Sequence, residues 1–81
     1  MREELIKARE NVGLTQLQMA MNVGISRSFY GLIETGNRNP SYGLAKRIAK
    51  ELKKNAESLF FDLDGFKMKR KEGLKPNPPA A

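Results

Sequence analysis

Residues 16–36, QLQMAMNVGISRSFYGLIETG, decide the fold of this chain. They predict two short helices joined by a tight turn at Gly24, where a left-handed backbone costs a residue with a side chain about 1 kcal/mol or more. Ala20 is small enough to let the two helices approach each other closely where they cross. The second helix begins at Ser26, a good N-terminal cap, and ends at Gly36. The rest of the chain is expected to hold these two helices at a fixed angle.

Apolar residues on both sides of this stretch recur at the three- and four-residue spacing of amphipathic helices. They predict one helix before it and two after it, with Thr15, Ser41 and Asn55 as further N-terminal caps. The expected fold class is all-α, a compact five-helix bundle that occupies residues 1–61. The predicted helices cover residues 2–12, 16–22, 26–35, 42–53 and 56–60. The residues expected to face the core are Leu5, Ala8, Val12, Met19, Ala20, Val23, Ile25, Tyr30, Ile33, Tyr42, Ala45, Ile48, Ala49, Leu52, Leu59 and Phe60.

The composition changes after Phe61, and residues 62–81 are expected to form a basic, proline-containing C-terminal tail. Its apolar residues are too few to build a second core, so we expect a short ordered segment followed by a disordered end that begins near Gly73. The cationic run from Lys67 to Lys71 either keeps the tail in solvent or adds contacts to phosphate.

The charge balance is strongly basic, with a formal net charge of +6 on 81 residues. Residues 1–61 hold ten Lys and Arg against six acids, and residues 62–81 hold five against three. A cationic surface is common in small soluble proteins, but it is also the electrostatic footprint of a nucleic-acid partner. The charge alone does not choose between these alternatives.

Several classes of protein are excluded or disfavoured by what the sequence lacks. Without cysteine or histidine, the chain has neither a disulfide framework nor a thiolate or imidazole zinc site. It contains no glycine-rich phosphate loop, nucleophile elbow or metal cluster, so we expect no enzymatic activity, no cofactor and no small-molecule substrate. No apolar run reaches the roughly 18 residues of a membrane span, and the acidic N-terminus does not resemble a signal peptide. A cytoplasmic location is therefore expected.

The spacing within residues 16–36 is more specific than the charge. Counted from Gln16, alanine is fifth and glycine ninth, and apolar residues occupy the fifteenth and eighteenth positions as Tyr30 and Ile33. Alanine permits the close approach, glycine permits the positive φ, and the two apolar residues pack the second helix on the core. Together these positions match the helix-turn-helix pattern of DNA-binding proteins, in which the second helix enters the major groove.

Residues 5–60 resemble the phage repressor/Cro-type helix-turn-helix family, also called the xenobiotic-response-element family. The resemblance implies a lambda repressor-like DNA-binding domain, with the third helix as the recognition helix, double-stranded DNA as the partner and a phage or mobile-element setting. The matching segments are Leu14-Thr15-Gln16, Met19-Ala20, Val23-Gly24-Ile25-Ser26-Arg27-Ser28, Ile33-Glu34-x-Gly36 and Arg38-Asn39-Pro40-Ser41.

The resemblance implies three base-facing residues on the recognition helix, Arg27, Ser28 and Leu32. Leu32 departs from the family, where this position is usually polar or basic, and it either contacts a thymine methyl group or shields the contact. Tyr30 and Phe29 replace residues that are often aliphatic and small, and the Tyr30 ring is expected to be buried with its hydroxyl reaching a partner at the edge. A bidentate contact of Arg27 with a guanine is the favoured role. The alternative is that Arg27 is simply exposed and that Ser28 serves only the end of the helix.

The resemblance also implies contacts around the recognition helix, both to DNA phosphates and within the protein. Gln16 matches a residue that binds backbone phosphate, although it can also be an ordinary first-turn residue. Arg9 lies beside the apolar face of the first helix and matches one partner of a structural ion pair with Glu34, which ties the first helix to the third. The residues assigned to phosphate contacts are Gln16, Thr15, Asn37, Arg38 and Ser41.

These residues and the family that they resemble predict a sequence-specific DNA-binding transcriptional regulator. We expect a repressor that acts as a homodimer on a pseudo-palindromic operator, with two recognition helices in successive major grooves. The alternative is a protein-interaction module, antitoxin-like or an adaptor, in which the same bundle binds a protein and DNA binding is secondary. The apolar residues considered for a dimer surface are Leu17, Met21, Leu44, Phe61, Leu63 and Phe66.

Overall fold

The computed structural model describes residues 1–61 and residue 63. All regular secondary structure in this part of the chain is helical, which confirms the all-α, five-helix fold predicted from the sequence. The predicted tail, residues 62–81, lies outside the described residues apart from Leu63. The helices are α1 (Glu3–Asn11), α2 (Gln16–Val23), α3 (Arg27–Thr35), α4 (Tyr42–Glu51) and α5 (Ala56–Phe60).

In the described part of the chain, one hydrophobic core lies between the five helices. The helix α2 packs on α3 and α4, and α5 packs on α1 and α4. Tyr30 and Phe60 are the largest completely buried side chains. Full burial of a large apolar side chain contributes about 1.5–3 kcal/mol, so these contacts are the main source of stability in a chain without disulfides. The buried apolar residues are Leu5, Ala8, Met19, Ala20, Val23, Tyr30, Ile33, Leu44, Ala45, Ile48, Ala49, Leu52, Leu59, Phe60 and Leu63.

Polar caps and a glycine turn set the boundaries of α2, α3 and α4. The Ser26 hydroxyl accepts a hydrogen bond from the Phe29 amide at 3.0 Å, and the Ser41 hydroxyl accepts one from the Leu44 amide at 3.1 Å. Gly24 has a φ of +81°, so the turn between α2 and α3 is the left-handed turn that the sequence predicts. Such caps contribute about 1 kcal/mol each and start α3 and α4 at defined residues.

Two expectations about helix faces are wrong, and a third, about the cap of α5, is confirmed only in its position. Val12 is exposed because α1 ends at Asn11 and the helical periodicity stops there. Tyr42 is exposed because it is the first residue of α4, where the Lys46 ammonium group lies 5.3 Å from the centre of its ring. Asn55 precedes α5, but its side chain makes no capping hydrogen bond with a described residue.

Two residues considered for a dimer surface belong to the core instead. Leu44 and Leu63 are both buried, and Leu44 lies on the inward-facing stripe of α4. Neither can cover a partner without leaving the core, so both assignments are wrong. The other residues considered are exposed, as are Leu17, Met21 and Phe61, or lie outside the described residues, as does Phe66.

Candidate nucleic-acid interface

The outer face of α3 presents a strip of three side chains to solvent, Arg27, Ser28 and Leu32. Arg27 and Ser28 are exposed in the first turn, and Leu32 follows one turn later with 38% of its surface exposed. Gly31 lies between them along the chain and has no side chain, and the Gln16 side chain of α2 lies beside it. Arg27 makes no hydrogen bond or ion pair with another described residue, which leaves its guanidinium donors available.

Gln16 begins α2 and lies against this strip. Its Nε2 donates to Glu34 Oε1 at 2.8 Å, and its Oε1 lies 3.8 Å from the point that a Cβ on Gly31 would occupy. Because the Glu34 carboxylate is an acceptor, this bond directs the amide nitrogen of Gln16 inward and leaves its second N–H proton for another acceptor. The residue predicted to bind phosphate is therefore also part of an internal hydrogen-bond network.

Thr15 lies just before α2 and is largely engaged in capping it. Its hydroxyl oxygen accepts from the Gln18 amide at 3.0 Å, and its own amide donates to Gln18 Oε1 at 2.9 Å. This reciprocal capping box occupies the backbone N–H of Thr15, so only its hydroxyl proton remains as a donor to phosphate. The Thr-x-x-Gln pattern is visible in the sequence and could have predicted the box.

The loop after α3 lies at the C-terminal end of the strip. The backbone N–H groups of Asn37 and Arg38 both donate to the Leu32 carbonyl, at 3.0 and 3.2 Å. A little further along, Ser41 caps α4, whose first amide groups form a partial positive charge that suits a phosphate. The side chains of Asn37 and Arg38 are exposed, and Arg38 adds a full positive charge to this end of the strip.

The structure thus brings the predicted base-facing and phosphate-facing residues to one side of the bundle. The strip on α3 has the N-terminus of α2 along it and the loop before α4 at its end. The one acid in residues 16–41, Glu34, is buried and paired with a cation, so the arginines keep this side positive. A positively charged surface of this kind suits the phosphates that flank a groove of DNA.

The buried carboxylate of Glu34 joins α1, α2 and α3. Arg9 on α1 donates from Nε to Glu34 Oε2 at 2.6 Å and from Nη2 to Oε1 at 3.3 Å, beside the bond from Gln16. Arg9 Nη1 also donates to the Leu14 carbonyl at 2.8 Å. Glu34 is 2% exposed, so these donors replace the water that its charge loses on burial. The hydrogen bond with Glu34 raises the pKa of Arg9, and this network helps to hold the three helices together.

Tyr30 is buried next to the same network. Its hydroxyl lies near Glu34 and Arg9 but makes no hydrogen bond of good geometry with a described residue. The expectation that this hydroxyl reaches a partner at the edge is therefore wrong. Burial raises the pKa of Tyr30 far above its ordinary value, and the Glu34 carboxylate adds to this rise.

The folded protein should lose stability through Tyr30 as the pH rises above 10.0, the ordinary pKa of tyrosine. Above that pH the unfolded chain releases the phenol proton while the folded state keeps it. The stabilisation is therefore complete below this pKa and falls at higher pH, by up to about 1.4 kcal/mol per pH unit. The Tyr30→Phe variant has no such proton, so its free energy of unfolding should fall less steeply than that of the wild type.

Urea denaturation at a series of pH values measures this difference. At neutral pH the Tyr30→Phe variant should stay within about 1 kcal/mol of the wild type, because the lost hydroxyl makes no good hydrogen bond. Tyr42→Phe is the matched control, since it removes the same hydroxyl from an exposed tyrosine outside the core. If the free energy of unfolding fell equally steeply with pH in the two variants above pH 10, the loss of stability could not be assigned to Tyr30.

Two arginines outside the predicted site hold the segments next to α3. Arg47 on α4 donates from Nη2 to the Val23 carbonyl at 3.3 Å, at the end of α2. Arg2, predicted only as a residue of the first helix, is buried and bonds to the end of α3 and to the loop that follows. Neither role has a local sequence signal, since the partners lie 24 residues from Arg47 and 31 or more from Arg2.

Neither a membrane span nor a metal cluster is found among the described residues. No helix there has both the length and the apolar character needed to cross a bilayer. Within residues 1–61 and 63, no three acidic, histidine or cysteine side chains lie close enough together to hold a metal ion.

Known proteins with similar sequences share this motif. Residues 5–59 match a helix-turn-helix family model, HTH_3. An uncharacterized HTH-type transcriptional regulator of Methanothermobacter thermautotrophicus is 39% identical over 69 residues, which cover 83% of this chain and 100% of the relative. One from Archaeoglobus fulgidus is 37% identical over 60 residues, which cover 74% of this chain and 86% of the relative. The uncharacterized HTH-type transcriptional regulator YqaF of Bacillus subtilis is 40% identical over 52 residues, 64% of this chain and 68% of the relative.

These matches extend well beyond the two helices of the motif. The family model runs from the first core residue of α1 into α5 and so covers more than half of the chain. No solved structure matches the chain. The two archaeal relatives are aligned along most of their own length. The chain therefore belongs to the Cro/cI-type helix-turn-helix family of DNA-binding transcriptional regulators.

Proposed function

We propose that this protein represses transcription by binding a specific operator as a homodimer. The observation that carries the proposal is the strip of Arg27, Ser28 and Leu32, with the N-terminus of α2 along it and the loop before α4 at its end. Base-edge contacts and phosphate contacts must lie on the same side of a DNA-binding protein, and this arrangement supports that role. The names of the relatives, HTH-type transcriptional regulators, support the same class of function.

In this proposal α3 enters the major groove with its first turn towards the bases. The Arg27 guanidinium offers parallel N–H groups to the O6 and N7 acceptors of a guanine. Ser28 forms one hydrogen bond with a neighbouring base, and Leu32 packs on the methyl group of a thymine. Because Leu32 forms no hydrogen bond, part of the sequence preference should come from the shape and flexibility of the DNA.

Contacts to the sugar-phosphate backbone hold α3 in this position. On one side, the second amide proton of Gln16 and the hydroxyl proton of Thr15 donate to a phosphate. A second phosphate lies on the other side. It accepts hydrogen bonds from Asn37, from Arg38 and from the first backbone amides of α4, which follow Ser41. These contacts carry no sequence information, but they supply much of the affinity and make it depend on salt.

The dimer follows from the geometry of a pseudo-palindromic operator. Two-fold symmetry sets the recognition helices in successive major grooves, about 34 Å apart. Among the apolar residues considered for the dimer surface, Leu17, Met21 and Phe61 are exposed in the described part of the chain and support this role. A bound dimer excludes RNA polymerase from a promoter that overlaps its operator, so repression needs no activity beyond binding.

Selection of bound sequences from random DNA tests the proposal most directly. We expect two inverted half-sites whose centres are separated by about 10–10.5 base pairs, one helical turn. Enrichment of an isolated half-site would overturn the dimer, and no enrichment at all would overturn sequence-specific binding. In the latter case, a stable protein partner of defined identity would support the protein-interaction alternative instead.

Binding to the selected operator should weaken steeply as salt increases. Each phosphate neutralised lowers the logarithm of the association constant by about 0.9 per log unit of salt. With one cation, Arg38, assigned to a phosphate in each subunit, the dimer should show a slope of roughly −2 or steeper. Fluorescence anisotropy titrations at several salt concentrations measure this slope. A response that is flat in salt would contradict the assigned phosphate contacts.

A further inference from the structure

The N-terminal end of the chain is anchored to the C-terminal end of the recognition helix. Arg2 precedes α1 and is only 8% exposed. Its Nη1 donates to the carbonyl of Ile33 at 2.7 Å and to that of Arg38 at 3.3 Å, and its Nη2 donates to Asn39 Oδ1 at 2.7 Å. The backbone N–H of Arg2 donates to the Glu34 carbonyl at 2.8 Å. One residue thus connects the last turn of α3 to two successive residues of the loop after it.

The chemistry of these contacts suits an arginine and no other residue. Carbonyls at a helix C-terminus lack partners within the helix and carry partial negative charge, so a cation there is favourable. The acceptors surround one planar group, and a guanidinium offers its donors in a fixed fork that a lysine ammonium does not match. The guanidinium carbon of Arg2 also lies 5.5 Å from the centre of the Phe60 ring, which packs the side chain between the core and the loop.

The contacts of Arg2 matter because residues 37–41 have few other hydrogen bonds to the bundle. The amides of Asn37 and Arg38 bond to α3, while Pro40 is buried but has no amide proton. Among the described residues, the hydrogen bonds to the Arg38 carbonyl and to the Asn39 side chain come from Arg2. The position of these residues decides where the Arg38 side chain and the start of α4 lie relative to α3.

We propose that Arg2 is a positioning residue for phosphate recognition, which holds residues 37–41 in the conformation where Arg38 and the first amides of α4 meet a DNA phosphate. The inference rests on the proposed function, since it gives Arg2 a part in the same interface. Arg2 acts from inside the protein, because its guanidinium is turned towards α3 and the loop. A loop that is ordered before binding loses less entropy on DNA, so Arg2 acts on affinity and leaves base preference unchanged.

The test compares the variants Arg2→Met and Lys7→Met. Methionine keeps an unbranched apolar stem against Phe60 but donates no hydrogen bonds. Lys7 is an exposed residue of α1, and its loss changes the net charge by the same amount. In the free protein, hydrogen exchange at the Arg38 amide should be about tenfold faster in Arg2→Met, relative to a core amide, and unchanged in Lys7→Met. Operator and random DNA should both bind Arg2→Met about tenfold more weakly.

Coupling between Arg2 and Arg38 distinguishes positioning from a general loss of stability. If Arg2 acts by positioning Arg38, Arg2→Met should weaken DNA binding less than about threefold when Arg38→Met is already present. Equal losses in the two backgrounds would overturn the inference. An Arg38 amide that exchanges at the wild-type rate in Arg2→Met would overturn it as well.

A second variant, Asn39→Ala, serves if Arg2→Met does not fold. Asn39 is exposed, and its truncation removes one loop partner of Arg2 without opening the core. It should speed exchange at the Arg38 amide and weaken binding to operator and random DNA by about threefold. If either the exchange rate or the affinity stays at its wild-type value, the inference is overturned. Failure of the proposed function looks different. The wild type and Lys7→Met would then enrich no operator and show no salt-dependent binding to DNA, which would overturn the role of the loop and of Arg2 on DNA together.

Discussion

Replacing Glu34 with alanine should lower the free energy of unfolding by about 3–5 kcal/mol. The carboxylate is almost completely buried and accepts hydrogen bonds from Arg9 and Gln16. Without it, the Arg9 guanidinium, whose side chain is 12% exposed, stays in a poorly solvated site with the Leu14 carbonyl as its remaining acceptor. At about 0.05–0.15 kcal/mol of stability per residue, a domain of this size has roughly 4–12 kcal/mol in all, so this one substitution should remove a large share of it.

Urea denaturation followed by circular dichroism measures this loss, and a double-mutant cycle identifies its cause. Arg9→Met should also destabilise the protein, since it leaves the Glu34 carboxylate buried without its cation. The double variant should be more stable than the sum of the two losses predicts, because neither charge is then left unpaired. If the two losses simply add, the ion pair does not supply the stability assigned to it.

The two-helix motif was predictable because its determinants lie within a few residues of one another. Gly24 adopts a φ of +81°, and the hydroxyls of Thr15 and Ser26 each accept from the amide three residues later. Ala20 and Ile33 are completely buried, as the spacing of the motif requires. Each of these features depends on local backbone geometry or on helical periodicity, and both can be read from a short stretch of sequence.

The faces of the helices near their ends were less predictable, because periodicity does not tell where a helix starts or which neighbour it meets. In α4, both Tyr42 and Leu44 fit an apolar stripe that also contains Leu52. The structure buries Leu44 and leaves Tyr42 exposed at the first position of the helix. Only the packing of α4 on α2 and α5 decides which of the two residues faces the core. That packing depends on residues far away in the sequence.

The residues of the candidate interface could be predicted from the sequence, but the contacts that orient their side chains could not. Helical periodicity puts Arg27 and Leu32 on the outer face of α3, while their roles on DNA come from the family and stay predictions. Gln16 is held by Glu34, 18 residues away, and Arg2 bonds to residues 31 to 37 positions away. Such long-range polar contacts form only after the helices are packed, so no pattern within one helix indicates them.

Replacing Arg27 with alanine should weaken binding to the operator by about 1–3 kcal/mol per half-site, and so by about 2–6 kcal/mol for a dimer. Base preference should be relaxed at one position in each half-site, while binding to random DNA changes much less. The free energy of unfolding should stay within about 0.5 kcal/mol of the wild type, because Arg27 is exposed and has no partner among the described residues. Anisotropy titrations with operator and random duplexes measure both affinities.

Arg27→Lys separates base recognition from charge, since lysine keeps the cation but lacks the planar fork that matches guanine. It should lose part of the operator preference while retaining the salt slope and the affinity for random DNA. Equal weakening of operator and random DNA by Arg27→Ala would instead make Arg27 a phosphate contact. Ser28 supplies at most a hydroxyl to the bases and Leu32 supplies no hydrogen bond. Arg27 is therefore the residue of the strip that can form two hydrogen bonds with one base, and its loss should remove more discrimination than the loss of either neighbour.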